Sequence, residues 1–427
     1  MDTKNIYSPR IADKILREQL EAAGVVLIQG PKWCGKTTTA EQAAASVIYM
    51  DDPQKRIEHI LLAENNPGLL LEGERPRLVD EWQLTPQLWD TARFDVSHKG
   101  LPGQFIFTGS AVPADKSKIA HTGTGRFAWL TMRPMSLWES KESNGGVSMK
   151  ALFAGKQKAS IAPNTTLDDL AFILCRGGWP GTLILKPQAA LKQAINYVDA
   201  VCQNDISRVD GVTRDKSFAH RLLRSYSRLQ GSQAPISTIY GDLSSGKEPS
   251  MNEDTISSYI NALKMIFVIE DMEAWNPNLR SKTAIRTSDT RYFVDPSIAA
   301  AALGIGPKDL INDINTFGLL FETMAVRDLR VYADALDGQV FHYRDKNGLE
   351  CDAVVHLRNG SYGLIEIKLG GEKLVEDGTK TLKRLSTKID TNRMKEPSFL
   401  MVLTAVGSYA YQREDGVFVV PISCLKD

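Results

Sequence analysis

A continuous apolar run, VVLIQG (25–30), leads straight into PKWCGKTT (31–38) and then into the alanine-rich stretch that reaches Ala45. This junction constrains the chain more than any other feature. A run that is apolar at every position, at strand length, belongs to a parallel strand buried on both faces. Gly30, Gly35, Lys36 and Thr37 satisfy G-x-x-x-x-G-K-[ST], and the strand before and helix after are the context in which that spacing forms a phosphate loop. Glycine lets backbone N–H groups wrap phosphates, and the following helix presents its positive end. Residues 8–23 precede the strand as an amphipathic helix, with Ile11, Ile15, Leu16, Leu20 and Ala23 on one face, ending at Gly24.

The spacing predicts a nucleotide cradle made of Gly30, Pro31, Lys32, Trp33, Cys34, Gly35, Lys36, Thr37 and Thr38. Lys36 is expected to reach the β- and γ-phosphates of ATP, and Thr37 to ligate Mg²⁺. A second element, RPRLVDEWQ (75–83), places Asp80 and Glu81 at the end of a short apolar strand. Asp80 is expected in the Mg²⁺ shell. Glu81 is expected to polarise the attacking water, which requires a carboxylate beside the metal. Further strands are read at 47–52 and 104–110; the second ends in Thr108 and Ser110. Arg126 and Arg133 lie in the glycine-containing stretch 121–139. Arg126 reads equally as a surface residue or as a phosphate contact, in cis or from a neighbouring subunit. Arg133 reads as a surface residue.

The chain has 427 residues, room for several cores, and 51 basic residues balance 51 acidic ones. A globally basic nucleic-acid coat is excluded, so any DNA contact must be regional. The cysteines Cys34, Cys175, Cys202, Cys351 and Cys424 form no CxxC pair, which argues against zinc and disulfide frameworks. The start at Met1 lacks the apolar core of a signal peptide, and no apolar stretch is long enough to span a membrane. A cytoplasmic location and no membrane partner are expected.

With YSPRI (7–11), GPKWCGKTT (30–38), LVDEWQ (78–83) and FTGSA (107–111) in this order, the chain resembles the prokaryotic AAA-type ATPases that carry a C-terminal domain of unknown function. These are related to archaeal ATPases that join a AAA+ core to a winged helix and a PD-(D/E)XK nuclease-like domain. CRGGWPGTL (175–183), RYFVDPSIAAAAL (291–303), FGLLFETMAVRDL (317–329) and NGLECDAVV with LIEIK (347–368) extend the resemblance over nearly the whole chain. It implies that Thr108 acts as a γ-phosphate sensor, although a Thr at a strand end also serves as a plain turn or cap.

The expected architecture is an α/β multidomain chain. A RecA-like, AAA+ P-loop parallel sheet occupies 1–165, with 140–165 as its polar exit. A helical and winged-helix region occupies 166–303, and a PD-(D/E)XK nuclease-like domain 304–427. Helices are read at 168–177 and 187–208, and 206–228 is locally basic (Arg208, Arg214, Lys216, Arg221, Arg224, Arg228). Three helices from 216 onward and two strands joined by 276–290, with Arg280, Lys282 and Arg286, suggest a winged helix able to contact DNA. Glu253 and Asp254, at the start of the third helix, favour a protein-packing module instead.

In the last third, a helix over 314–335 carries Glu322 on an apolar face, which demands a partner. Asp352, Glu366 and Lys368 follow on a hairpin, with Glu366 and Lys368 on one face of one strand. A further core strand is read at 397–405. The four residues match the nuclease pattern, with Glu322, Asp352 and Glu366 as expected Mg²⁺ ligands and Lys368 orienting water. The leading expectation is an ATPase acting on DNA, with homo-oligomers if an arginine acts in trans. The alternative is a nucleotide-gated protein-interaction module with a degenerate nuclease fold, and a small-molecule P-loop kinase is a weaker third reading.

Overall fold

The computed structural model describes residues 7–109, 123–244, 252–276 and 287–427. Ser110, Arg280, Lys282 and Arg286 lie outside the described residues. Contacts divide the chain into two compact units, one of Met1–Pro134, Gln203–Asp215 and Tyr259–Val268, the other of Met135–Cys202, Lys216–Ser258 and Ile269–Asp427.

In the first unit, α1 (Ile11–Ala22) precedes β1 (Val25–Gln29), α2 (Lys36–Glu41), β2 (Ser46–Tyr49), α3 (Arg56–Asn65), α4 (Pro67–Leu70), β3 (Arg77–Asp80), α5 (Gln87–Lys99), β4 (Phe105–Gly109) and β5 (Phe127–Thr131). The strands form one sheet in the order β2-β3-β4-β1-β5, and every neighbouring pair is parallel. Helical crossovers follow β1, β2 and β3, as parallel neighbours require. Alternate strand residues pack to opposite faces. Val25, Leu27, Val79, Phe105 and Phe107 join Leu88, Trp89 and Val96 of α5. Val26, Ile28, Leu78 and Ile106 join Leu16 and Leu20 of α1 and Ala40 of α2. Burial on both faces is why these strands read as unbroken apolar runs.

The second unit holds β6 (Val147–Ser148), α6 (Met149–Phe153), β7 (Ser160–Ile161), α7 (Leu167–Arg176) and α8 (Pro187–Ala200). The stretch 140–165 is not an exit from the first unit. β6 pairs with β14 (Leu425–Lys426), and β7 pairs with β12 (Tyr409–Gln412). Two-residue strands whose partners lie far away in sequence leave no local periodicity to read. The helix expected over 187–208 is broken by a π-type turn, Val201–Asp205, before α9 (Ile206–Arg208).

The three helices expected after 216 form as α10 (Lys216–Arg228), α11 (Ile236–Ser244) and α12 (Glu253–Met265). Their segments are shared between the two units, since Tyr259–Val268 groups with the first. Among the described residues, the two expected strands pair through the isolated bridges Ile269–Phe293 and Met272–Thr290.

The helix Ile314–Asp334 then leads into β8 (Gly338–Arg344), β9 (Glu350–Leu357) and β10 (Tyr362–Lys368), the helix Glu372–Lys388 and β11 (Phe399–Thr404), with β13 (Phe418–Pro421) beyond β12. The seven-stranded sheet runs β7-β12-β13-β11-β10-β9-β8. β8, β9 and β10 are an antiparallel meander, whereas β10 and β11 are parallel across the intervening helix. Val375, Leu382 and Leu385 of that helix pack on Val354, Leu364 and Val402.

Arg327 organises the core of this unit. Its fully buried guanidinium donates to Asp295 at 2.9 Å and to Asp328 at 2.7 and 2.9 Å. Asp295 also caps the helix Pro296–Leu303 and accepts from the Gly178 N–H, and Asp328 accepts from the Leu137 N–H. Removing the arginine leaves two buried carboxylates without a counter-charge. Arg327→Met is therefore expected to cost ~3–5 kcal/mol of stability, read as a lowered midpoint in urea unfolding of the full chain.

Candidate functional site

The phosphate loop is shaped by its glycines. Gly30 has φ 152° and Gly35 has φ 98°. A Cβ on Gly30 would lie 2.0 Å from the Met132 carbonyl oxygen, so no side chain fits there. Trp33 also has a positive φ of 67° and is half exposed at the loop's outer side. Cys34 is buried, with its Sγ 3.5 Å from the Met132 oxygen. Lys36 is buried and folds over the loop, its Nζ donating to the carbonyls of Gly30 at 3.0 Å and Pro31 at 2.8 Å. Thr38 is exposed, and its carbonyl accepts from Gln42 on the next turn. Lys32 pairs with Asp205 at 2.6 Å.

The sheet register brings three strand ends to one place. Asp80 lies beside Thr108, and Gln29 beside Gly109. The Asp80 carboxylate accepts hydrogen bonds from the Thr37 hydroxyl at 2.8 Å and from the Thr108 hydroxyl. Burial pushes the Asp80 carboxyl up from its ordinary range, against the pull of the two hydroxyls. Glu81 follows in the left-handed region at φ 54°, and burial raises its carboxyl too, against the Lys36 charge. The charge of Asp51, just past β2, acts on both carboxylates.

Arg126 is elsewhere. Its carbonyl accepts from Val25, the first residue of β1, and its guanidinium donates to Ser97 at 3.1 Å. That is the opposite end of the sheet, roughly 16 Å from the loop at ~3.3 Å per residue, so a contact with its own chain's γ-phosphate is out of reach. Arg133 lies just past β5 on the loop side, and its carbonyl accepts from Arg10.

Arg10, Tyr7, Asp51 and Asp205 are the contributors that sequence reasoning missed. The buried Arg10 guanidinium ties the Cys34 carbonyl, at 2.7 Å, to that of Arg133, at 2.9 Å. The Tyr7 hydroxyl bonds to Asp13 and lies 3.0 Å from the Thr39 hydroxyl. Asp51 follows a parallel strand as Asp80 ends one, which was a readable signal. The roles of Arg10, within YSPRI (7–11), and of Asp205 were not legible, because their partners are distant in sequence.

In the second unit, Glu322, Asp352, Glu366 and Lys368 do assemble, though as an ion-pair network. Lys368 bridges Asp352 at 2.9 Å and Glu366 at 2.7 Å. The Ile367 N–H donates to the same Asp352 oxygen at 2.7 Å, and the Tyr292 hydroxyl donates to Glu322 at 2.5 Å. Among the described residues, no group of three or more His, Cys, Asp or Glu is placed to hold a metal ion. At the expected second Mg²⁺ site, the Lys368 ammonium lies between Asp352 and Glu366, and the Tyr292 hydroxyl holds Glu322. Burial, with Asp352 nearby, pushes the Glu322 carboxyl up to about 8, and burial likewise raises Glu366 to about 8. For Lys368 burial acts downward, but the two carboxylates outweigh it and raise its pKa.

A carboxyl raised on folding contributes stability that is full below its unfolded value of 4.5 and is lost as pH rises through about 8. Glu322→Gln should thus flatten the fall in thermal stability across this window and melt above the wild type on its alkaline side. Parallel melting curves of the two proteins at every pH would contradict this assignment.

All five cysteines are buried free thiols, and among the described residues no helix is long and apolar enough to cross a membrane. Residues 22–141 match a family described as an AAA domain, and 167–309 and 317–425 match two domains of unknown function, DUF8612 and DUF4143. Uncharacterized proteins of Mycobacterium bovis and Mycobacterium tuberculosis are each 23% identical over 359 residues, covering 83% of this chain and 72% of their own. Among solved structures, a Walker-type ATPase of Pyrococcus abyssi is 16% identical with a TM-score of 0.42, covering 70% of this chain and 97% of its own. The ORC1 protein of Aeropyrum pernix, solved in complex with DNA, is 12% identical with a TM-score of 0.25, covering 70% of this chain and 93% of its own. Motif, strand order and family match agree in likening residues 22–141 to an AAA domain.

Proposed function

We propose that this chain binds ATP with Mg²⁺ at residues 30–38 and hydrolyses it with Glu81 as general base. The observation that carries the reading is the convergence of the Thr37 and Thr108 hydroxyls on Asp80 beside Lys36. Thr37 and Asp80 are adjacent hard oxygen donors, which suits Mg²⁺, and these two side chains would hold it. When bound, the ion neutralises charge on the phosphate oxygens. Backbone N–H groups of the loop bind phosphate, and Lys36 exchanges its two carbonyl contacts for phosphate oxygens. Thr108, within the Asp80 network, reads the γ-phosphate. Glu81 takes a proton from the attacking water; burial raises its basicity for that role. Arg126, at the far edge of the sheet, serves a nucleotide only in trans, which would require a homo-oligomer.

For the second unit, the helix-β8-β9-β10-helix-β11 order supports a nuclease-like fold. The Lys368 bridge favours the reading in which that fold binds a partner without cutting DNA. Exposed Lys216 and Arg224 on α10 keep DNA as the regional partner to be tested.

Lys36→Ala is expected to abolish both ATP binding and turnover. Glu81→Gln should bind ATP as the wild type does but turn it over about 100-fold more slowly or worse, measured by phosphate release. Unchanged turnover in Glu81→Gln would remove Glu81 from the mechanism. Single- and double-stranded DNA should remain intact in Mg²⁺ or Mn²⁺; cleavage lost in Asp352→Ala would reverse the reading of the second unit.

A further inference from the structure

Glu81 sits in a backbone region that disfavours side-chain-bearing residues, at φ 54°, and leads into the single 3₁₀ turn Trp82–Leu84. Such a residue keeps its place only if its surroundings hold it. The side chain that does so is two positions on. The Gln83 amide nitrogen donates to the Glu81 carboxylate, which accepts no other side-chain hydrogen bond among the described residues. Among the described residues, the same amide's oxygen is buried without a hydrogen-bond partner. An amide that leaves its acceptor unmet in the interior is kept there by its donor contact and by packing.

The packing comes from the end of β4. A Cβ built on Gly109 would fall 2.5 Å from the Gln83 amide oxygen and 3.2 Å from the Trp82 indole nitrogen. The space that lets Gln83 reach Glu81 therefore exists because the residue after Thr108 is glycine. Gly109 is not among the positive-φ glycines, so its backbone conformation does not require glycine. A Cβ there would instead have to displace the far end of the flexible Gln83 side chain.

We infer that Gln83 is a positioning residue that tethers the Glu81 carboxylate in the orientation needed to take the proton from water, with Gly109 providing the slot for the tether. The inference rests on the ATPase reading above. It predicts a defect in turnover and none in nucleotide binding, because Gln83 touches Glu81 and not the phosphate loop. Misplacing a general base by about an ångström costs on the order of ten- to a hundredfold in rate.

The test uses the full-length protein with MgATP. Gln83→Met, of similar size but without the amide, should lower kcat about tenfold while KM and nucleotide affinity stay at wild-type values. Gly109→Ala, which pushes the amide aside while leaving it in the sequence, should show the same split. Adding Gln83→Met to Glu81→Gln should slow turnover no further, since the tether then has no base to hold. Wild-type kcat in Gln83→Met would overturn the assignment. So would a kcat loss accompanied by an equal rise in KM, or one that persists undiminished in the Glu81→Gln background. Failure of the ATPase reading looks different: the wild type would bind MgATP without turning it over, or Glu81→Gln would turn over normally, and the tether would fall with it.

Discussion

The Asp80 carboxylate is where the first unit's architecture becomes chemistry. It ends β3, and β4 separates that strand from β1, whose loop and following helix supply Lys36 and Thr37. In a parallel sheet every strand ends at the same edge, so three segments far apart in sequence deliver side chains to one point. The hydroxyls of Thr37 and Thr108 both donate to the same oxygen of this carboxylate. The remaining features of the site support that meeting. Gly30 lets the loop pass under Met132, Arg10 pins the loop to the chain beyond β5, and Glu81 turns out of the strand to stand beside its neighbour.

The second unit is held by a different kind of constraint. Arg327 on the helix Ile314–Asp334 binds the start of the helix Pro296–Leu303 through Asp295, and through Asp328 it reaches the backbone of Leu137. Segments from three parts of the sequence are thus fixed by charges that cannot be separated inside an apolar core without large cost. The acidic cluster that Glu322 of the same helix forms with Asp352 of β9 and Glu366 of β10 obeys the same rule. Glu322, Asp352 and Glu366 are tolerable together because Lys368 and Tyr292 answer them.

The legible parts were those with short-range signatures. The P-loop, the apolar strands β1, β3 and β4, and the helices α7, α10 and α12 carry their spacing within a dozen residues. The proximity of Glu366 and Lys368 was equally legible, since alternate residues of a strand share a face. What that proximity means was not. Whether two carboxylates and a lysine make a metal cradle or an ion pair depends on where the ammonium rests, and no spacing rule contains that information. β6 and β7 were invisible for a related reason, being two residues long and dependent on partners near the C-terminus.

The sequence by itself determined that residues 25–38 are a buried strand feeding a glycine-shaped loop, and that Asp80 and Glu81 stand at the end of another strand. These follow from periodicity, glycine placement and residue chemistry, all local properties of the chain. Only the tertiary structure decided that Arg126 stands at the wrong end of the sheet for its own nucleotide, and that Arg10 and Asp205 brace the loop. It alone placed the Gln83 amide on Glu81 beside Gly109. The physical reason is that strand register and side-chain packing depend on contacts between residues tens to hundreds of positions apart, and a linear pattern cannot encode which of those contacts close.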